Sequence, residues 1–232
     1  LLSMFLLASA KKDLSMCSFR LFAVEKPKEE EVWSTKVTEE DLENAVEDEF
    51  GVKYSKDWKR LLKAPFGFSG EYSIRKGVKV IGDSAFWSCN TIFTFGELLT
   101  TINIPNSVTA IGNEAFWGCD SLTTINIPNS VTTIGNWAFS GCKSLTTINI
   151  PNSVTTIGSW AFSCCKSLTT INIPNSVTTI GDEAFDCCES LTTINIPNSV
   201  TMIGDEAFNC CESLTTINIP NSVTTIGNWA FA

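Results

Sequence analysis

The sequence contains no histidine among its 232 residues. Histidine is the commonest general base of enzymes and the commonest metal ligand, so catalytic triads built on it are excluded. The ten cysteines include no C-x-x-C pair, which is the spacing typical of zinc and redox sites. We therefore expect a protein that is not an enzyme, with no catalytic residue, no metal site and no cofactor.

Basic residues are scarce in the second part of the chain. Residues 81–232 hold 2 Lys/Arg and 11 Asp/Glu, whereas residues 1–80 hold 14 of each kind. An acidic surface gives no electrostatic footprint for a phosphate backbone, so we expect no nucleic-acid partner. No stretch reaches the roughly 18 to 20 apolar residues that a transmembrane helix requires, so we expect no membrane span.

The chain begins with the apolar run LLSMFLLASA, which ends in small residues. One interpretation is the remnant of a secretory signal peptide with its cleavage site, although a charged start and an initiating Met are missing. The alternative is ordinary apolar chain in a fragment. Residues 1–36 are assigned to this leader remnant and a charge-rich linker.

Residues 37–80 are predicted to form an N-terminal cap that merges into a degenerate first repeat. Thr38 precedes three acidic residues, a pattern typical of a helix start, and Gly51 is expected to end this helix. Residues 52–64 surround a turn-prone Ser-Lys-Asp sequence, which predicts a hairpin. The acidic helix and basic hairpin either face each other or are both solvated. We favour the second because exposed ion pairs stabilise little.

From residue 81 the chain is dominated by one 23-residue sequence, IGNWAFSGCKSLTTINIPNSVTT and its variants. Such a unit is too small to bury a hydrophobic face alone, so neighbouring units must stack as a solenoid over residues 81–232. The repeat that starts at Ile81 is 7 residues longer, and the excess near Asn90 to Leu98 is expected to form a loop. The last coil is incomplete. Regular copies begin at Ile111, Ile134, Ile157, Ile180 and Ile203.

The spacing of apolar residues within one repeat predicts two short extended pieces and a short helix. Leu145, Ile148 and Ile150 have the L-x-x-L-x-L spacing of a strand whose alternate side chains point inward. The sequence from Val154 to Ile157 predicts a second extended piece. The Asn, Asp or Ser after each repeat glycine, such as Asn136, is interpreted as the N-cap of a helix of one or two turns.

Threonine and asparagine alternate with the inward isoleucine of the first strand and should form an exposed, flat, uncharged row. Solenoids commonly bind partners through such extended faces, so we predict binding by the row as a whole. The alternative, favoured for any single residue, is that Thr and Asn merely suit a solvated strand. The row comprises Thr124, Asn126, Thr147, Asn149, Thr170, Asn172, Thr193, Asn195, Thr216 and Asn218.

Three tryptophans are a second candidate binding surface. Trp137 and Trp160 hold the first position of the expected helix in adjacent coils, so stacking should place them side by side. A contiguous patch with Trp117 would be an interaction site. The alternative is that duplication copied exposed aromatic residues without function.

The cysteines of the repeat fall into two groups. Six follow the core spacing and are expected to pack as small apolar residues. Cys164, Cys187 and Cys210 replace glycines of earlier coils, such as Gly118 and Gly141, and are expected to be more exposed.

The sequence motifs IPNSVTTIG, AFxxC and SLTTINIP resemble the BspA-like leucine-rich repeats of bacterial surface proteins. Some protists also have repeats of this kind. The resemblance covers residues 70–232. The preceding GVKYSKDWKRLLKAPFGFSGEYSI is similar to the non-repeat module that often accompanies such arrays, although Trp58 stands where a turn glycine is usual.

This resemblance implies a fold and a function. The fold is an α/β repeat, a right-handed leucine-rich repeat solenoid with short parallel strands and short helices. The function is adhesin-like binding of a protein partner, such as a host matrix or plasma protein, by a secreted or bacterial cell-surface protein. The alternative is a structural spacer or assembly module of a longer repeat protein, either monomeric or associating end to end.

Overall fold

The computed structural model describes residues 33–87, 89 and 98–232. The leader predicted at the N-terminus lies outside the described residues, and so does the loop expected near Asn90 to Leu98, except for Leu98 itself. Leu98 is buried.

A single helix, α1 (Glu39–Glu43), is present in the described part of the chain. Thr38 caps it as predicted: its hydroxyl accepts the N–H of Asp41 at 3.1 Å, and the Asp41 carboxylate accepts the N–H of Thr38 at 2.9 Å. The helix ends well before Gly51, so the longer helix expected there was wrong. The chain instead extends at Val46–Glu47 because these residues pair with the next strand.

Three antiparallel strands follow: β1 (Val46–Glu47), β2 (Lys53–Tyr54) and β3 (Arg60–Lys63). The turn between β2 and β3 contains Trp58 at φ +59°. This left-handed conformation is the one that glycine adopts most easily, which accounts for the glycine usual at that position. The Trp58 ring packs 5.2 Å from the Tyr54 ring, and the Arg75 guanidinium lies 4.1 Å from its centre.

Helix α1 and strand β3 are joined by an ion pair between Asp41 and Arg60. Their carboxylate and guanidinium approach to 2.7 Å, and the side chains are only 24% and 14% exposed. Arg60 also donates to the carbonyl oxygens of Ser34, at 3.0 Å, and Lys36. The hydrogen bonds from Arg60 lower the pKa of Asp41. The interpretation that helix and hairpin are both solvated was therefore wrong at this pair.

From β3 onward the strands are parallel, as expected, and form a solenoid of two sheets. The parallel strands after β3 are β4 (Gly70–Ser73), β5 (Val80–Ile81), β6 (Leu99–Asn103), β7 (Ala110–Ile111), β8 (Thr124–Asn126), β9 (Thr133–Ile134), β10 (Thr147–Asn149), β11 (Thr156–Ile157), β12 (Thr170–Asn172), β13 (Thr179–Ile180), β14 (Thr193–Asn195), β15 (Met202–Ile203) and β16 (Thr225–Ile226). The first sheet has the order β1-β2-β3-β5-β7-β9-β11-β13-β15-β16, and the second has the order β14-β12-β10-β8-β6-β4. Equivalent residues pair in register, so Ile148 pairs with Ile125 on one side and Ile171 on the other.

The core consists of columns of identical side chains, one from each coil. Neighbouring phenylalanine rings stack with centroids 5.0 to 5.5 Å apart. The cysteine ladder lies beside them, and its thiols donate to phenylalanine carbonyls; Cys142, for example, donates to Phe116 at 3.3 Å. The apolar role predicted for these cysteines is confirmed. The phenylalanine column is Phe86, Phe116, Phe139, Phe162, Phe185, Phe208 and Phe231.

The short helix predicted in each coil was wrong: the described residues at this position form turns. Trp137 has φ +54°, which a right-handed helix does not allow. The preceding Asn136 does not cap its own coil. Its side-chain oxygen accepts the N–H of Ser159 in the next coil at 3.0 Å, and Asn113 accepts the N–H of Asn136 at 2.9 Å. The Asn/Asp position therefore links neighbouring coils.

The glycine before this position is required by the close approach of the coils. A Cβ added to Gly135 would lie 2.6 Å from the backbone nitrogen of Asn113 and 2.6 Å from the carbonyl carbon of Gly112. Both atoms belong to the neighbouring backbone and cannot move away cheaply. Only glycine lets the coils stack at this distance.

The last coil leaves an apolar edge exposed. Ile226, Trp229 and Phe231 are 48%, 73% and 40% exposed, although Ile and Phe at the same positions of earlier coils are buried. Among the described residues, no helix has the length and apolar character needed to cross a membrane.

Candidate functional site

The row of Thr and Asn side chains follows the outer face of the six-stranded sheet. In strands β8, β10, β12 and β14 the Thr and Asn are exposed while the isoleucine between them is buried. The strands pair in register, so equivalent residues form two parallel columns. Asn218 continues the asparagine column through a bridge to Asn195, whereas Thr216 is exposed but outside any strand.

The side chains of this polar row make no hydrogen bond to the protein in the part of the chain that the structure describes. Each asparagine amide offers two donors and an acceptor, and each threonine hydroxyl offers one donor and two lone pairs. Equivalent strands are about 4.8 Å apart, so these groups recur at a regular spacing. The row therefore presents uncharged hydrogen-bond donors and acceptors to solvent at equal intervals.

The structure extends the row toward the N-terminus by residues that the sequence analysis missed. Strands β4 and β6 place Ser73 and Asn103 in the asparagine column, and the Asn103 amide donates to the Ser73 hydroxyl at 3.1 Å. Thr101 pairs with Thr124 in the threonine column. The signal was present, because LTTINIP recurs at Leu99, but it lay inside the longer, divergent repeat.

The tryptophans form two separate stacked pairs. Trp137 and Trp160 lie 4.6 Å apart with ring planes 7° from parallel, as predicted for adjacent coils. Trp117 stacks instead on Trp87, at 6.2 Å, because both follow the core phenylalanine. No ring contact among the described residues joins the two pairs. The contiguous patch of Trp137 and Trp160 with Trp117, one of the two alternatives from the sequence, is therefore not formed by ring stacking.

Acidic residues border the Trp137–Trp160 pair. The indole N–H of Trp160 donates to the Glu183 carboxylate at 2.5 Å. Partial burial raises the pKa of Glu183, and the nearby carboxylates of Glu206, Asp186 and Asp182 add to this effect. An acidic surface therefore adjoins the Trp137–Trp160 pair on the side of the C-terminal coils.

Two of the three cysteines that replace repeat glycines, Cys164 and Cys187, lie beside the carboxylate of Asp186. The Sγ atoms of Cys164 and Cys187 and a carboxylate oxygen of Asp186 all lie within 4.8 Å of one another, and all three residues are half-buried. Burial raises the pKa of the Cys187 thiol to about 12. Cys210 is exposed. The prediction that these cysteines are more exposed than the ladder is confirmed.

Sequence comparison assigns the repeats to a known family. A model of the BspA type leucine rich repeat region matches six copies, over residues 79–185 and 109–232. The chain belongs to the BspA-type leucine-rich repeat family. No curated protein sequence matches it.

Solved structures of other leucine-rich repeat proteins share this architecture. A protein from Eubacterium ventriosum is 31% identical, with a TM-score of 0.70 over 81% of this chain and 49% of its own. The leucine-rich repeat protein of T. pallidum is 30% identical, with a TM-score of 0.65 over 77% of this chain and 83% of its own. A leucine-rich cell surface protein from Faecalibacterium prausnitzii is 31% identical, with a TM-score of 0.52 over 78% and 54%. The chain thus spans about half the length of the first and third proteins.

Proposed function

We propose that this BspA-type chain is a non-enzymatic binding protein that holds a protein partner along its polar row. The observation that carries the proposal is the exposure of two in-register columns whose side chains, from Thr124 to Asn218, make no hydrogen bond within the described structure. Solenoids of this class present extended surfaces to their partners. A flat face of amides and hydroxyls suits the peptide groups and polar side chains of another protein.

One of the similar proteins supports an extracellular role. One similar structure is that of a protein described as a cell surface protein. We infer a secreted or cell-surface adhesin whose partner is a host matrix or plasma protein. The Trp137–Trp160 pair and Trp117 are proposed as a second contact area, since rigid aromatic side chains are enriched in protein interfaces.

Matched triple variants test the row. Asn149, Asn172 and Asn195 are changed to Lys in one protein, and the exposed turn residues Asn152, Asn175 and Asn198 are changed to Lys in the control. The two variants have the same charge and composition. Both are tested by surface plasmon resonance against a panel of matrix and plasma proteins.

Lysines in the row are expected to abolish binding to any panel member that the parent protein binds, because three charges interrupt the face. The control should bind within about threefold of the parent, since surface substitutions away from the contact have small effects. Circular dichroism should show both variants folded. Equal binding by the two variants would refute the row as the contact.

A second candidate function is favoured by the apolar edge of the last coil. Ile226, Trp229 and Phe231 are exposed where equivalent columns continue in the other coils. This edge suits an assembly module that stacks on a second copy of the chain. Sedimentation velocity distinguishes the candidates: a concentration-dependent dimer that Phe231→Asp abolishes supports assembly, and a monomer at all concentrations opposes it.

A further inference from the structure

One position in the outer turn is glycine in some coils and cysteine in others, and the fold does not require cysteine there. In earlier coils this turn carries Gly118 and Gly141, at φ +68° and +73°. Cys164 and Cys187 stand at the same position, at φ +57° and +54°. A side chain strains this left-handed conformation, which glycine adopts freely. Two thiols are thus held where the repeat itself favours glycine.

A carboxylate accompanies the two thiols. Asp186 stands where the earlier coils have Ser140 and Ser163, and it belongs to the same coil as Cys187. Its Oδ1 accepts hydrogen bonds from the Cys187 thiol at 3.6 Å and the Asn209 amide at 2.9 Å, and the three ligand atoms of the cluster lie within 4.8 Å of one another. Two sulfurs and a carboxylate oxygen therefore converge from two adjacent coils.

We propose that Cys164, Asp186 and Cys187 bind a zinc ion. Tetrahedral zinc with Zn–S bonds of about 2.3 Å and Zn–O bonds of about 2.0 Å places sulfur and oxygen ligands roughly 3.5 to 3.8 Å apart. The observed 3.6 Å between Asp186 and Cys187 matches this spacing. Thiolates favour zinc over calcium or magnesium, which take oxygen ligands. Water completes the fourth position at this half-buried surface.

This site departs from the expectation, drawn from the lack of histidine and of C-x-x-C pairs, that the chain holds no metal. Sequence spacing could not reveal it, because its two cysteines are 23 residues apart and meet only when the coils stack. The ladder cysteines are separate from it: all are buried except the half-buried Cys211, and Cys165 and Cys188 donate to carbonyls of the core.

The test uses substitutions that the repeat itself provides. Cys164→Gly/Cys187→Gly restores the residues of earlier coils, Asp186→Ser restores the serine of Ser163, and Cys210→Gly is the control, since it removes an exposed thiol of the same column outside the cluster. All proteins carry Cys17→Ser, because Cys17 is the one cysteine of the sequence that lies outside the repeats. The reduced, metal-free chains are titrated anaerobically with Zn²⁺ by calorimetry and with Co²⁺ by absorption.

The parent and the Cys210→Gly control are expected to bind one ion per chain, with a thiolate-to-Co²⁺ charge-transfer band. Asp186→Ser should weaken binding by about tenfold or more. The double glycine variant should lose both stoichiometric binding and the band while remaining folded. Absence of stoichiometric binding in the parent, or binding that survives in the double glycine variant, would overturn the proposal. A Cys164–Cys187 disulfide that resists reduction in the folded parent would also overturn it.

Discussion

The N-terminal segment, residues 33–74, and the repeated coils that follow are stabilised in different ways. The segment contributes buried apolar residues such as Val52 and Leu61 to the common core. It adds polar contacts that each occur once: the Asp41–Arg60 ion pair, and a buried chain from Tyr54 through Tyr72 to Asp48. The coils rely on columns of identical apolar side chains with recurring backbone links. Repetition makes each coil interchangeable in its core, and it leaves the outer side chains free to differ.

The largest effect is expected in the phenylalanine column. Phe139→Ala and Phe185→Ala should each lower the free energy of unfolding by about 3–5 kcal/mol, because both rings are buried between two others. The two values should agree, since Phe139 and Phe185 occupy equivalent positions in one column. Phe231→Ala should have a clearly smaller effect, because this ring has a neighbour on one side and is exposed on the other. Urea unfolding measures all three, and a Phe231 effect equal to that of Phe139 would contradict the column model.

The next largest effect is expected at the glycines between coils. Gly135→Ala places a Cβ 2.6 Å from backbone atoms and should destabilise by about 2–3 kcal/mol. Gly141→Ala is the control: its Cβ meets Gly118 at 3.5 Å, so only its φ of +73° penalises the change, by about 1 kcal/mol. Thermal unfolding compares them. Equal melting temperatures would show that coil spacing does not depend on Gly135.

In the N-terminal segment, the buried tyrosine should make stability sensitive to alkali. Burial raises the pKa of Tyr54 from about 10 to about 12. Because the folded value is the higher one, the stabilisation is complete below pH 10 and is lost as pH rises toward 12, by about 2 kcal/mol. Tyr54→Phe should reduce this loss. Urea unfolding at pH 9 to 11.5 tests it, and parallel pH profiles for parent and variant would contradict it.

The smallest effect is expected at the ion pair. Asp41→Asn keeps the side-chain shape but weakens the bonds to Arg60, so it should destabilise by about 1–2 kcal/mol. The lowered pKa of Asp41 means that this stabilisation is present near neutral pH and is lost as pH falls through the folded value. The parent and variant should therefore converge in acid. A gap of constant size down to pH 2 would contradict this assignment.

The same contrast explains what could be predicted from the sequence. Inward positions such as Ile148 and Phe162 follow from apolar spacing repeated in every copy, and the exposed row follows from the alternation around Ile148. The Asp41–Arg60 pair could not be predicted, because it joins residues 19 apart that meet once.

The predicted short helix failed for a different physical reason. Gly, Asn and a following acidic residue are typical of a helix start, and local propensity supported it. Stacking favours another use of the same residues, since Asn136 satisfies an N–H of the next coil. The Cys164, Asp186 and Cys187 cluster was missed because sequence spacing does not show which outer side chains adjacent coils bring together.

Removal of one whole coil tests most directly the claim that the coils are interchangeable. Deleting the 23 residues 134–156 joins Thr133 to Ile157, so Phe116 should stack on Phe162 and Asn113 should accept the N–H of Ser159. The control deletes residues 134–144, which breaks the register. Guanidinium unfolding followed by circular dichroism should show a cooperative transition for the whole-coil deletion, at lower stability than the parent, and none for the control. Loss of the cooperative transition in the whole-coil deletion would contradict the claim.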